Sequence, residues 1–149
     1  MVQKSISGWK DGWYVVPYTV MWRDLDGVGH VNNAVYLTLF ELARTRYWID
    51  LRGSFGDGTR AIEFIVARAE CNFKLQLSLL EEIELCTRAG EIRNSSFDFV
   101  YEIKRSDGEV AATGTVVVVL FDWDKNQKRI ISQELKEEIG KFESRDETA

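Results

Sequence analysis

The hydrophobic positions of the chain fall into two periodicities that divide it into strands and helices. From Trp13 to Trp22, WYVVPYTVMW is almost continuously apolar and rich in β-branched and aromatic residues. It reads as a strand in which Pro17 marks an edge position or a bulge. Ala34 to Ile49 contains neither Gly nor Pro and carries apolar residues at Val35, Leu39, Leu42 and Ala43 and at Tyr36, Phe40 and Tyr47. Only Thr38, Glu41 and Thr45 break that surface, as one narrow polar line, so the segment predicts a helix buried on several sides. RGSFGDG, Arg52 to Gly58, is a glycine-rich loop.

The second half reads as strand. Glu63 to Phe73 alternates imperfectly, and Glu82 to Ala89 follows a charged turn. Phe97 to Lys104 alternates strictly, with Phe97, Phe99, Tyr101 and Ile103 on one side. SDG at Ser106 to Gly108 is a hairpin signal, after which Val110 to Trp123 returns as a long β-branched strand. Ser132 caps a final amphipathic helix, ELKEEIGKFE, whose early glutamates suit the helix dipole. One helix apolar nearly all round, followed by an antiparallel meander, implies a sheet curled about that helix. The expected architecture is two-layer α+β, with a peripheral C-terminal helix.

At 149 residues the chain is long enough to close one core without disulfides or metal, and residues 1–149 read as a single domain. Residues 1–12 and 143–149 are expected to be poorly ordered. The net charge of −5 would repel a phosphate backbone and no basic stripe offsets it, so nucleic acid is not an expected partner. The first residues show no apolar signal segment, and the longest apolar run, Val116 to Phe121, is too short for membrane insertion. Cys71 and Cys86 form no CxxC pair and no framework, which fits a reducing, cytoplasmic setting.

Candidate chemistry is concentrated in DLDGVGHVNNAVY, Asp24 to Tyr36, which holds the single histidine, His30. Asn32 or Asn33 stands where a helix N-cap belongs. The residues after it would present unpaired backbone N–H groups and the positive end of the helix dipole, a place to stabilise an oxyanion. Gly27 and Gly29 allow close backbone approach, and Asp26 lies within reach of the same spot. A carboxylate facing a carbonyl backed by amide N–H groups is the minimum equipment for acyl transfer or hydrolysis. The alternative is that these residues only close a turn and cap a helix. Asp24, one residue out of alternation with Asp26, reads as structural.

YTVMWRDLDGVGHVNNAVYLTLFELAR resembles the hotdog-fold acyl-CoA thioesterases of the 4-hydroxybenzoyl-CoA thioesterase-like family, in which an acidic turn of the form D-x-D-x-x-G-H-V-N-N leads into a helix. The likeness continues more weakly through NSSFDFVYEI and DGEVAATGTVVVVLFD and covers about residues 13 to 123. It implies a curled antiparallel sheet around one long helix, no cofactor, no metal, and hydrolysis of an acyl-CoA to free acid and CoA. Carried over residue by residue, it makes Asp26 the nucleophile or general base and Asn33 the oxyanion N–H donor. It also makes His30 and Asn32 parts of the site, as in the related plant acyl-ACP thioesterases that share HVNN, although Val28 replaces an asparagine of that pattern. Glu41, eight residues beyond Asn33, matches the helix carboxylate of another hotdog branch. Arg93 matches a basic position that meets CoA phosphates, and Arg60 a loop near the nucleotide. The acyl tail is expected along the helix near Tyr36, Phe40 or Trp48. The resemblance further implies a homodimer or homotetramer whose sheets join edge to edge, covering the valine-rich strand. LQLSLLEE and RIIS depart from the family's loop pattern, which bears on substrate shape. An acyl-ACP carrier, or a domain that only binds acyl thioesters, remains open.

Other chemistries find little support. One histidine is too few for a His/Cys zinc site, and no G-x-S-x-G elbow accompanies it. GVG lacks the rest of a dinucleotide fingerprint, and GSFGDG lacks the Lys-Ser/Thr of a P-loop.

Overall fold

A computed structural model describes residues 6–53 and 63–144. In chain order the elements are β1 (Gly8–Lys10), β2 (Trp13–Thr19), a 3-10 turn (Trp22–Asp24), α1 (Asn33–Arg52), β3 (Phe64–Phe73), β4 (Glu82–Ile92), β5 (Ser96–Arg105), β6 (Val110–Asp122), β7 (Gln127–Lys128) and α2 (Gln133–Glu143). The strands form one antiparallel sheet in the order β1-β2-β4-β5-β6-β3, with β7 paired to β6.

This is the expected α+β arrangement, with a sheet wrapped around one helix. Phe97, Phe99, Tyr101 and Ile103 all turn into the core, as their alternation requires. From α1 come Tyr36, Leu39, Phe40, Ala43, Tyr47 and Trp48. Phe40 stacks on Tyr101 with ring centroids 4.2 Å apart. Gly114 makes room for it, since a Cβ there would clash with the Phe40 ring. The helix ends at Gly53, whose φ of 83° closes the last turn through its N–H to the Ile49 carbonyl at 2.7 Å. The loop beyond it, including Arg60, lies outside the described residues. Ser132 caps α2 by accepting the Leu135 N–H at 3.0 Å. Glu143 at the far end of α2 accepts from the Tyr47 hydroxyl at 2.6 Å and from the Ala89 N–H at 2.7 Å, which pins the helix to the core.

Four expectations need correction. Residues 8–10, expected to be poorly ordered, form β1, because Trp9 packs edge-on against Tyr14, Tyr47 and Phe142. Residues 1–5 and 145–149 lie outside the described residues. The strand expected to run to Trp22 stops at Thr19, where Asp24 pulls the chain into the 3-10 turn. Its carboxylate accepts the Met21 N–H at 2.8 Å and the Tyr18 hydroxyl at 2.7 Å. The valine-rich strand β6 presents no free edge, being flanked by β5 and β3; the edge strands of the sheet are the short β1 and the ten-residue β3. Finally, Phe40 and Trp48, expected near the acyl group, are each 1% exposed and belong to the core. Trp48 packs on Phe64 and Phe97 and gives its indole N–H to Glu63.

Candidate active site

The turn between β2 and α1 is a small antiparallel ladder. Asn32 N–H donates to the Asp24 carbonyl at 2.8 Å and Asp26 N–H to the His30 carbonyl at 2.9 Å, with Leu25 opposite Val31. Gly29, at φ 84°, closes its tip by donating to the Asp26 carbonyl at 3.1 Å. The Asp26 side chain braces the same tip, with Oδ1 accepting Val28 N–H at 2.9 Å and His30 N–H at 3.4 Å. So the turn-closing role holds for Asp26, but it engages only one carboxylate oxygen. No hydrogen bond among the described residues uses Oδ2.

Asn32 is the N-cap. Its side chain accepts the Ala34 N–H at 2.9 Å, and its carbonyl takes the Val35 N–H at 2.9 Å. That leaves Asn33, the first helical residue, with an N–H that no acceptor among the described residues takes. This N–H stands at the positive end of a 20-residue helix.

The turn is docked sideways. Val31 N–H donates to the Leu77 carbonyl at 3.0 Å and His30 bridges to Ser78, so the chain after β3 lies against it. Between them opens a cavity of about 220 Å³ lined by Asp26, His30, Asn33, Tyr36, Phe73 and Lys74, among others. Tyr36 and Phe73 meet edge to face, 5.0 Å between centroids, as an aromatic wall. His30 is half-buried, and its Nδ1 is buried with no partner among the described residues.

Among the residues that the sequence singled out, Asp26, His30, Asn33 and Tyr36 therefore share one cavity, while Asn32 acts beside it through the cap. Glu41 lies apart, in a second cavity of about 190 Å³, where it pairs with Arg44 at 3.5 Å. Arg93 is not at the Asp26 cavity. Its guanidinium is engaged by Asp98, Glu91 and Ser96, which leaves little of its charge for a phosphate. Lys74, Phe73 and Gln76 line the Asp26 cavity too, and sequence reasoning does not reach them. They lie about forty residues further along the chain, and nothing in their own composition marks them.

Burial pushes the Cys71 thiol up to about 11 and the Cys86 thiol up to about 12, so neither offers a thiolate near neutral pH. No cluster of three or more His, Cys, Asp or Glu side chains suited to a metal occurs among the described residues.

A model of the thioesterase-like superfamily matches residues 20–139, most of the chain including this turn. The chain belongs to the thioesterase-like superfamily. A thioesterase from Thermus thermophilus, solved with coenzyme A and Zn, is 31% identical over 94% of this chain and 98% of that one, with a TM-score of 0.78. The PA5185 protein of Pseudomonas aeruginosa PAO1 is 26% identical over 87% of this chain and 90% of its own, with a TM-score of 0.74. YsmA of Bacillus subtilis (strain 168) is 25% identical over 81% of each chain. A 1,4-dihydroxy-2-naphthoyl-CoA thioesterase from Synechocystis shares the fold at 15% identity, over 86% of this chain and 96% of its own, with a TM-score of 0.74. This member of the superfamily thus has the hotdog fold, and thioester hydrolysis is the general chemistry its family supports. Among its described residues no helix is long and apolar enough to cross a membrane.

Proposed function

We propose that the protein hydrolyses acyl-CoA thioesters, with Asp26 as the reacting carboxylate and the Asn33 N–H as oxyanion donor. The observation that carries this reading is that Asp26 and Asn33 line the same cavity at the start of α1. One Asp26 oxygen is held by two backbone N–H groups, which leaves the other available to react. A thioester carbonyl oxygen placed at the Asn33 N–H would gather negative charge against the helix dipole, a kind of contact worth about two to three powers of ten in rate. Asp26 then either attacks the carbonyl carbon, expelling the CoA thiolate and leaving a mixed anhydride that water hydrolyses, or takes a proton from a water that attacks the carbonyl carbon and expels the thiolate. The family match and the CoA-bound Thermus relative support the carrier. Lys74, the cation lining the cavity, replaces Arg93 as our candidate for the carrier's phosphates. His30 forms part of the wall beside Asp26 and, with its Nδ1 buried, shapes the cavity.

We further propose a homodimer joined across β3. Every residue of this strand from Ile65 to Glu70 is exposed, Val66 to 47%, and its outer edge has no partner strand among the described residues. Such an edge invites pairing with a second copy. Free, unpaired Cys71 and Cys86 support a reducing compartment such as the cytoplasm.

The test is thiol release from acyl-CoAs by wild type and Asp26→Asn. Turnover that survives in Asp26→Asn would overturn the assignment, and tight acyl-CoA binding without wild-type turnover would leave a binding domain. Matched acyl-ACP substrates decide the carrier. A single turnover in ¹⁸O-water that yields unlabelled acid and labelled Asp26 would identify nucleophilic attack, because general-base catalysis puts the water oxygen into the product.

A further inference from the structure

The segment LQLSLLEE, residues 75–82, turns without the glycine or proline that a tight turn ordinarily uses. Ser78 to Glu81 forms the turn, with the Glu81 N–H donating to the Ser78 carbonyl at 3.1 Å. Its third residue, Leu80, stands at φ 63°, a left-handed conformation that strains a leucine and suits a glycine. The Leu80 side chain is 66% exposed, so packing does not hold it there. A strained backbone persists only where its surroundings over-determine it.

Here hydrogen bonds do that work. Leu80 N–H donates to the Val20 carbonyl at 2.8 Å and Val20 N–H to the Glu81 carbonyl at 3.0 Å, just past the end of β2. The Glu81 carboxylate spans the turn. Its Oε2 accepts the Ser78 N–H at 3.0 Å, and its Oε1 accepts from Arg105 Nε at the end of β5. Ser78 in turn bridges to His30, and the Leu77 carbonyl takes the Val31 N–H. The turn therefore bears directly on the ladder that holds Asp26 and leads into α1. Lys74 and Leu75 are secured separately, both N–H groups donating to the Ala111 carbonyl at 2.9 and 3.0 Å.

We propose that Glu81 is a positioning residue for the reaction at Asp26. Oriented by Arg105, its carboxylate does what a glycine would otherwise do: it holds the turn against His30 and Val31, which keeps Asp26 and the Asn33 N–H in place. The proposal rests on the hydrolase reading for the chemistry that this geometry serves. Because Lys74 and Leu75 have their own anchor, losing Glu81 disturbs the reacting groups and leaves the carrier side of the cavity where it is. The effect falls on kcat, not on KM.

The experiment compares wild type, Glu81→Ala, Arg105→Gln and the double variant Glu81→Ala/Leu80→Gly by thiol release and by amide hydrogen exchange. The substrate is whichever acyl-CoA wild type turns over fastest in a panel from acetyl-CoA to palmitoyl-CoA with benzoyl-CoA. Glu81→Ala should lower kcat about tenfold with KM within about twofold of wild type. It should also quicken exchange at the Val31 amide about tenfold while amides from Phe97 to Tyr101 hold. Arg105→Gln keeps the carboxylate but not its orienting partner, and should shift both readouts the same way, about threefold. In the double variant kcat should return to within about threefold of wild type, because glycine adopts that φ unaided. A glycine would not repair general destabilisation. Unchanged Val31 exchange in both single variants, a KM rise as large as the kcat fall, or no recovery in the double variant would overturn the proposal. Val31 exchange that responds as stated, with no thiol release by wild type from any member of the panel, would instead sink the hydrolase reading and leave the brace on the Asp26 turn standing.

Discussion

The Tyr18 hydroxyl donates to Asp24 Oδ2 at 2.7 Å, and the same oxygen accepts the Met21 N–H at 2.8 Å. Asp24 is buried and also lends its carbonyl to Asn32, so one residue ties β2, the 3-10 turn and the helix cap together. Asp24→Ala should cost about 2–3 kcal/mol, because it strands a half-buried hydroxyl and a backbone N–H. Tyr18→Phe, which removes one bond, should cost about 1 kcal/mol. Urea midpoints at constant m-value would measure both.

Asp26→Asn should show the opposite profile. The amide oxygen can still accept the Val28 N–H, so the urea midpoint should stay within about 0.5 kcal/mol of wild type. Turnover should fall by about two to four powers of ten. Parallel denaturation and thiol-release assays on one preparation would separate the two aspartates.

Removing the cap tests whether the oxyanion site depends on the helix start. Asn32→Ala leaves the Ala34 N–H without its 2.9 Å acceptor and should cost about 1 kcal/mol. It should also lower kcat more than it raises KM, since the neighbouring Asn33 N–H acts on the transition state. Asn32→Asp should restore stability.

Glu63 should make stability depend on pH. Burial alone would raise its carboxyl, but hydrogen bonds from Arg52 and Arg129 outweigh that and hold it below the ordinary value. A carboxyl lowered in the folded state contributes stability above its unfolded pKa and loses it as pH falls through the folded value. Glu63→Gln should therefore be less stable than wild type at pH 7, and the difference should shrink as the pH falls below the ordinary carboxylate range. Unfolding curves across that range would check the sign.

Lys74→Gln should raise KM for acyl-CoA and leave KM for a phosphate-free N-acetylcysteamine thioester unchanged. The wild-type difference should also narrow with added salt, as for any exposed charge contact. Equal KM changes for both substrates would remove Lys74 from carrier binding.

Much of this protein is local and legible without coordinates. The alternation of Phe97 to Ile103 dictates which face of β5 is buried. The absence of Gly and Pro between Asn33 and Arg52 lets a long helix form, and the run from Asp24 to Asn33 announces a turn and a cap. These follow from backbone sterics and side-chain periodicity, which act within a few residues. What the turn faces is a different matter. Lys74 and Phe73 reach Asp26 only because Val31 and His30 bond to the chain beyond β3. Phe40 is core because Gly114, seventy-four residues away in sequence, leaves space for its ring. Close packing between distant segments decided these points, and no pattern within either segment encodes the partner it will meet.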